Sequence, residues 1–100
     1  MSVLLMTKLK NMFKEVDKDN SLEYHLKNIN INGSKRGCSG FIKNGRNNKI
    51  VYINTEICCG IWLPPILYRE AKSLKDFKGG INNFCDNNKI VSNVIKMLEA

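Results

Sequence analysis

Lys49-Ile-Val-Tyr-Ile-Asn-Thr55 is the stretch on which the fold turns. Ile50, Val51, Ile53 and Thr55 are β-branched and Tyr52 is aromatic, the residue types that suit a pleated surface. Upstream, Gly37–Lys43 supplies a second arm, and Asn44-Gly-Arg-Asn-Asn48 is rich in turn formers. Residues 37–43 and 49–55 are therefore expected to form a hairpin, with Gly45 taking a positive φ at its tip. Pairing Ile42 with Ile50 and Phe41 with Val51 leaves a three-residue loop. It places Cys38, Gly40, Ile42, Ile50 and Tyr52 on one face, and Phe41, Val51 and Ile53 on the other. Both faces then carry apolar side chains, so helices are expected over one, and a partner or the chain ends over part of the other.

Working outward to the N-terminal side, residues 23–32 read as another strand. Ile29 and Ile31 alternate with Asn28, Asn30 and Asn32, whereas Tyr24 and Leu26 alternate in the opposite phase. The change of phase predicts a bulge or a late start of the strand near Lys27-Asn28. Asn32-Gly-Ser34 reads as a turn. Residues 3–17 read as a helix, because Leu5, Leu9, Met12 and Val16 share one face, which Met6 and Phe13 widen. Asp17-Lys-Asp-Asn-Ser21 stops it.

On the C-terminal side, Ile57-Cys-Cys-Gly-Ile-Trp-Leu-Pro-Pro65 reads as an apolar loop. Pro65 suits the first turn of a helix over 65–78, with Leu67, Ala71 and Leu74 on one face and Gly79-Gly80 as its cap. A last helix over 87–98 is expected to bury Ile90, Val91, Val94, Ile95 and Leu98. The expected fold class is α+β: an N-terminal helix, a three-stranded antiparallel meander and two C-terminal helices (α-β-β-β-α-α), in a single compact domain spanning residues 1–100. Its first five elements follow the order of the double-stranded-RNA-binding domain, and Arg69-Glu-Ala-Lys72 echoes the basic start of that family's last helix. The histidine-containing loop that the family carries between its first two strands is missing, which leaves an analogy of order.

Composition fits one folded domain: 100 residues, 43% hydrophobic and 25% charged. Sixteen Lys+Arg against nine Asp+Glu give a net charge of +7, which favours polyanions or acidic protein surfaces as partners. Solvated lysines on a soluble surface give the same total. The abundance of Asn, Ile and Lys matches AT-rich coding, as in a bacterium, phage or mobile element. No apolar stretch approaches the ~20 residues that span a bilayer, and no secretory signal is visible, so a cytoplasmic protein with reduced thiols and no membrane partner is expected.

Chemistry-bearing motifs are sparse. The four cysteines, Cys38, Cys58, Cys59 and Cys85, lack the paired C-x2-C spacing of zinc sites. They read as small hydrophobes, and no metal or cofactor is expected. The one histidine, His25, is the only candidate base for a cysteine nucleophile. Asp17 and Asp19 share a turn without completing a calcium loop. Gly33-Ser-Lys-Arg-Gly37 is basic but lies between strands rather than before a helix. No catalytic residue is assigned.

The basic residues are the most suggestive feature. Lys35 and Arg36 lie in one turn, and Lys43, Arg46 and Lys49 flank the hairpin tip. Arg69, Lys72, Lys75 and Lys78 would form an oblique band on the expected helix. A basic hairpin and a basic helix on one face would straddle a phosphate backbone, and Tyr24, Phe41, Tyr52 and Trp62 are candidates for stacking if exposed. Ile61, Trp62 and Leu63 in the apolar segment are candidate anchors for a protein partner, or a plug for the end of the core. The expectation is a small nucleic-acid-binding accessory protein, acting on DNA or RNA. The alternative is a protein-binding inhibitor or modulator, such as a phage anti-defence protein, docking on an acidic protein surface. Either is compatible with a homodimer. A third reading is a small RNase-type toxin.

Overall fold

Burial alternates along the middle of the chain, as a two-faced sheet requires. Cys38, Ile42, Val51, Ile53 and Ile66 point into one apolar cluster, while Phe41, Ile50 and Ala71 point into another. The computed structural model of the chain describes residues 5–31, 34–58, 61–86 and 88–99, and the side chains of 7–28, 37–55, 66–86 and 88–99. Its elements are α1 (Leu5–Lys14), β1 (Leu22–Ile31), β2 (Ser34–Asn44), β3 (Ile50–Cys58), β4 (Ile61–Ala71), β5 (Asn83–Cys85) and α2 (Ile90–Glu99). The strands form one antiparallel sheet in the order β1-β2-β3-β4-β5.

The α+β class therefore holds, with a five-stranded meander and two helices in place of three strands and three helices. This order also removes the analogy with the double-stranded-RNA-binding domain. Both helices cover the same face of the sheet. Leu9 and Phe13 of α1, and Ile90, Val94 and Leu98 of α2, are fully buried against Cys38, Ile42, Val51, Ile53 and Ile66. These helical residues recur every four positions, so each short amphipathic helix owes its stability to this shared contact rather than to its own length. Val91 and Ile95 flank the buried stripe of α2, whereas Val16, past the end of α1, is exposed.

The expected helix over 65–78 is replaced by the end of β4 and a loop, and 57–65 is strand where it is described. Helical periodicity in Leu67, Ala71 and Leu74 competes with period-2 alternation. Ile66 and Tyr68 pack towards the helices, while Arg69 and Ala71 are buried on the opposite face. Pairing with β3 decides between them, since Asn54–Leu67, Ile53–Tyr68, Tyr52–Arg69 and Val51–Glu70 are in register. Beyond Ala71, the Asp76 carboxylate accepts hydrogen bonds from the backbone N–H groups of Lys72 (2.9 Å) and Gly79 (2.8 Å). These bonds satisfy backbone donors that a helix would otherwise use.

The β2–β3 hairpin is one residue out of the expected register: Ile42 pairs with Val51, and Phe41 with Tyr52. A slip of one exchanges the faces, so Val51 and Ile53 join the core while Ile50 and Tyr52 lie opposite. The cause is the turn. The Asn44 N–H donates to the Lys49 carbonyl and the Asn48 N–H to the Asn44 carbonyl, which closes a four-residue loop. Asn48, with φ of 62°, takes the left-handed position expected of Gly45; asparagine tolerates that conformation better than most residues. The bulge of β1 falls between Ile29 and Asn30, slightly later than expected. Gly40 has φ of +147°, and a Cβ there would collide with the His25 carbonyl oxygen, so β1 and β2 approach closely only because this position is glycine.

The hairpin tip also anchors α2. Asn44 (2.9 Å) and Asn47 (2.8 Å) both donate side-chain hydrogen bonds to the Leu98 carbonyl, an acceptor that the last turn of the helix leaves free.

Candidate nucleic-acid interface on the open sheet face

With both helices on one face, the other face is left to side chains and to the loop over residues 72–80. Strand pairing aligns three rows across it. His25, Phe41, Tyr52 and Arg69 form the central row. Glu23, Lys43, Ile50 and Ala71 lie on one side of it, and Lys27, Ser39, Asn54, Leu67 and Phe84 on the other. The 72–80 loop folds back over the first two rows. Phe77 meets the central row in T-shaped contacts, its ring centroid 5.2 Å from Phe41 and 6.0 Å from Tyr52. Phe41 and Tyr52 are themselves 5.3 Å apart. These separations fall within the range of attractive aromatic pairs, yet Phe77 remains 54% exposed.

Arg69 holds this loop from below. It is 3% exposed. Its guanidinium lies 4.4 Å from the Tyr52 ring centroid and donates to the Asp76 carbonyl at 3.4 Å. Its other terminal nitrogen is buried without a hydrogen-bond partner among the described residues. The three backbone donors at Asp76, from Lys72, Gly79 and Lys78, hold its carboxyl below the usual carboxylate value, and the charge of Arg69 adds to this. The loop is thus closed on itself through Asp76 and tied to the sheet through Arg69 and Phe77.

Among the residues singled out in the sequence, the structure brings together Lys43, Lys49, Lys72, Lys75 and Lys78. Lys43 stands in the row of Ile50 and Ala71. Lys49 and Lys72 line one cleft of about 420 Å³ between the hairpin tip and the loop. Lys72, Lys75 and Lys78 are exposed on the loop, not on a helix. Two arginines do not join them. Arg46 pairs with Asp19 at 3.0 Å, beside the end of α2, and Arg69 is buried. Lys35 and Arg36 lie in β2, and Ile61, Trp62 and Leu63 in β4; their side chains lie outside the described residues, as does the indole proposed for stacking.

Charge is uneven between the two sides. Among the residues whose side chains are described, the open face and its loop carry Lys27, Lys43, Lys49, Arg69, Lys72, Lys75 and Lys78 against Glu23 and Asp76. The helical side, with the hairpin tip, carries Lys8, Lys10, Lys14, Lys18, Arg46, Lys89 and Lys96 against Glu15, Asp17, Asp19, Glu70, Asp86 and Glu99. Equal numbers of cations thus meet fewer carboxylates on the open side, and the Asp76 carboxylate there is already engaged by backbone donors.

Of the aromatic candidates, Tyr52 is half-buried on the open face and Phe41 is buried beneath Phe77. Tyr24 packs towards the core instead, and burial pushes its hydroxyl up to about 12. Phe77 and Phe84 were not anticipated as surface aromatics, nor Ile81 as an exposed side chain. Phe84 is 56% and Ile81 83% exposed. The available signal was the Asp76-x-x-Gly79 turn, which places Phe77 in a loop rather than on a helix.

The cysteine chemistry also has a geometry. Cys38 is in the core, on the side of the sheet opposite His25, and burial raises its thiol to about 11. Burial raises Cys85 as well. The candidate base and this candidate nucleophile are therefore separated by the sheet itself.

Comparison of the chain with protein-family models, with curated proteins and with solved structures finds no match. The site's own chemistry is what bears on function.

Proposed function

We propose that the protein binds nucleic acid across the open face of its sheet, as an accessory protein rather than a catalyst. The observation that carries this reading is the convergence of Lys43, Lys49, Lys72, Lys75 and Lys78 beside a half-exposed aromatic, Phe77, anchored on the sheet. Lysines act as point charges towards phosphates, and an aromatic ring among them offers a stacking surface to any base. The excess of cations on this side supports a location for the contact, which net charge alone does not. The test is fluorescence anisotropy with a labelled single-stranded oligonucleotide across a range of salt concentrations. Contact with about five phosphates gives a slope of log K against log salt of roughly −3.5 for a single strand. Absence of binding at low salt would falsify the reading.

The second reading, a protein-binding modulator, draws on a different observation. Among the described residues, three of the four exposed large hydrophobics, Phe77, Ile81 and Phe84, fall within one short segment. Ile81 has no stacking role to play, and exposed apolar side chains close in sequence to Lys75 and Lys78 suit an acidic protein surface. Replacing Ile81 by Ser distinguishes the two: it leaves oligonucleotide affinity unchanged under the first reading and removes a protein contact under the second.

A further inference from the structure

We propose that the groove bounded by His25, Phe41 and Phe77 takes one unpaired base, so that the substrate is single-stranded nucleic acid rather than duplex. The inference rests on the reading of the open face as a nucleic-acid interface and adds the form of the ligand. The groove, of about 210 Å³, lies where the 72–80 loop overhangs β1 and β2. Its lining divides into two kinds. Phe41, Leu74 and Phe77 are apolar and His25 and Lys27 polar, while Gly40 and Leu26, whose side chain packs into the core, form its floor. His25 and Lys27 are both exposed and both project from β1 onto the open face. Pockets for larger organic ligands run from about 300 Å³ upward, so this one suits a single planar ring.

Three features favour a base over other planar groups. First, the Phe77 ring is held against Phe41 and Tyr52 in T-shaped contacts and is still half in solvent, so a stacking partner is in place before any ligand arrives. Pre-organisation of this kind lowers the ordering cost of binding. Second, the polar groups at the groove are a hydrogen-bonding imidazole and a cation. These match the polar edge of a base and its phosphate, and an aliphatic or purely aromatic side chain would leave them unused. Third, the same loop carries Lys72, Lys75 and Lys78, so a strand seated by one base continues along cations. In a duplex, stacking and pairing conceal the base faces, and a groove that engages a base face discriminates against it.

The experiment compares three fluorescein-labelled probes of equal length and charge per strand on the full chain at low salt: a single-stranded oligonucleotide, the same strand made abasic at its central positions, and the corresponding duplex. The expected result is a loss of about 5- to 100-fold in affinity on removing the bases, the range set by one base–aromatic stack. Phe77→Ala brings the intact strand to the level of the abasic one, while Phe77→Tyr restores the difference. His25→Ala, at an exposed position, gives a partial loss without bearing on the fold. Quenching of a 2-aminopurine in the intact strand, absent with Phe77→Ala, reports the stack independently of affinity. Equal affinity for intact and abasic strands overturns the groove while leaving an electrostatic interface standing. So does tighter binding of the duplex. No binding of any probe overturns the interface as well.

Discussion

The guanidinium of Arg69 lies over the ring of Tyr52, 4.4 Å from its centroid, at the base of a surface loop and, among the described residues, with no carboxylate in ion-pair contact. The cation is held by the ring face, by the Asp76 carbonyl and by burial beneath the loop. A cation–π contact of this kind contributes on the order of 1–2 kcal/mol when desolvated, while a buried nitrogen without a partner costs something similar. The stem of Arg69 thus matters as much as its charge.

From this follows a contrast between two substitutions. Arg69→Ala removes the stem as well as the charge and is expected to destabilise the fold by about 2–3 kcal/mol. Arg69→Met keeps most of the volume while removing the unsatisfied cation, and should cost less than ~1 kcal/mol. Urea unfolding monitored by circular dichroism measures both. Equal losses would show that the charge, not the packing, secures the loop.

Asn44 and Asn47 share one acceptor, and their substitutions should not add. Asn44 is buried, and its side-chain oxygen also accepts from the Arg46 N–H at 3.0 Å. Asn44→Ala is expected to cost about 1–3 kcal/mol, as a buried hydrogen-bonding group is lost. Asn47, exposed, should cost under ~1 kcal/mol alone. Losing both leaves the Leu98 carbonyl without either donor, so the double variant exceeds the sum of the single ones. Thermal unfolding of the three variants supplies the cycle.

Asp76 gives the loop a pH dependence. Its carboxyl is held below the ordinary value of 3.8 by the N–H groups of Lys72 and Gly79, then by Lys78 and the charge of Arg69. A depressed folded-state value means that the stabilisation is fully present above the unfolded value and lost as pH falls through the folded one. The protection of the Lys72 and Gly79 amides against hydrogen exchange, taken relative to the intrinsic rate at each pH, should therefore hold down to about pH 4 and fall below it. Asp76→Asn should show lower protection than the wild type above about pH 4 and lose that step. An unchanged exchange profile in Asp76→Asn would mean that the carboxylate does not close the loop.

The parts of this fold that were legible in the sequence are those governed by local periodicity. Leu9 with Phe13, and Ile90 with Val94 and Leu98, mark their helices without reference to the rest of the chain. Lys49–Thr55 declares a strand by composition. What was not legible depends on partners distant in sequence. Tyr68 and Arg69 belong to a strand because Ile53 and Tyr52 stand opposite them, and Leu67, Ala71 and Leu74 at helical spacing conceal this. The hairpin register hinged on Asn48 rather than Gly45, a difference of one loop residue that exchanges the faces. For the interface, the lysines of 43, 49 and 72–78 were visible as a group. Their common side was not, because it required β4 to return along β3 and hand the chain to the loop.

The central claim is that the interface lies on the open face, and it is tested most directly by two variants of identical net charge. One reverses Lys72, Lys75 and Lys78 on the loop to Glu; the other reverses Lys8, Lys14 and Lys96 on the helices. All six are exposed, so both variants should fold. In anisotropy titrations with a single-stranded oligonucleotide, the loop variant is expected to lose most of its affinity, with a salt slope shallower by about 2. The helix variant should retain its slope and lose only the modest affinity due to net charge. Equal losses in the two variants would contradict the account, because they would show that the positive charge acts as a whole and that the open face has no special part in binding.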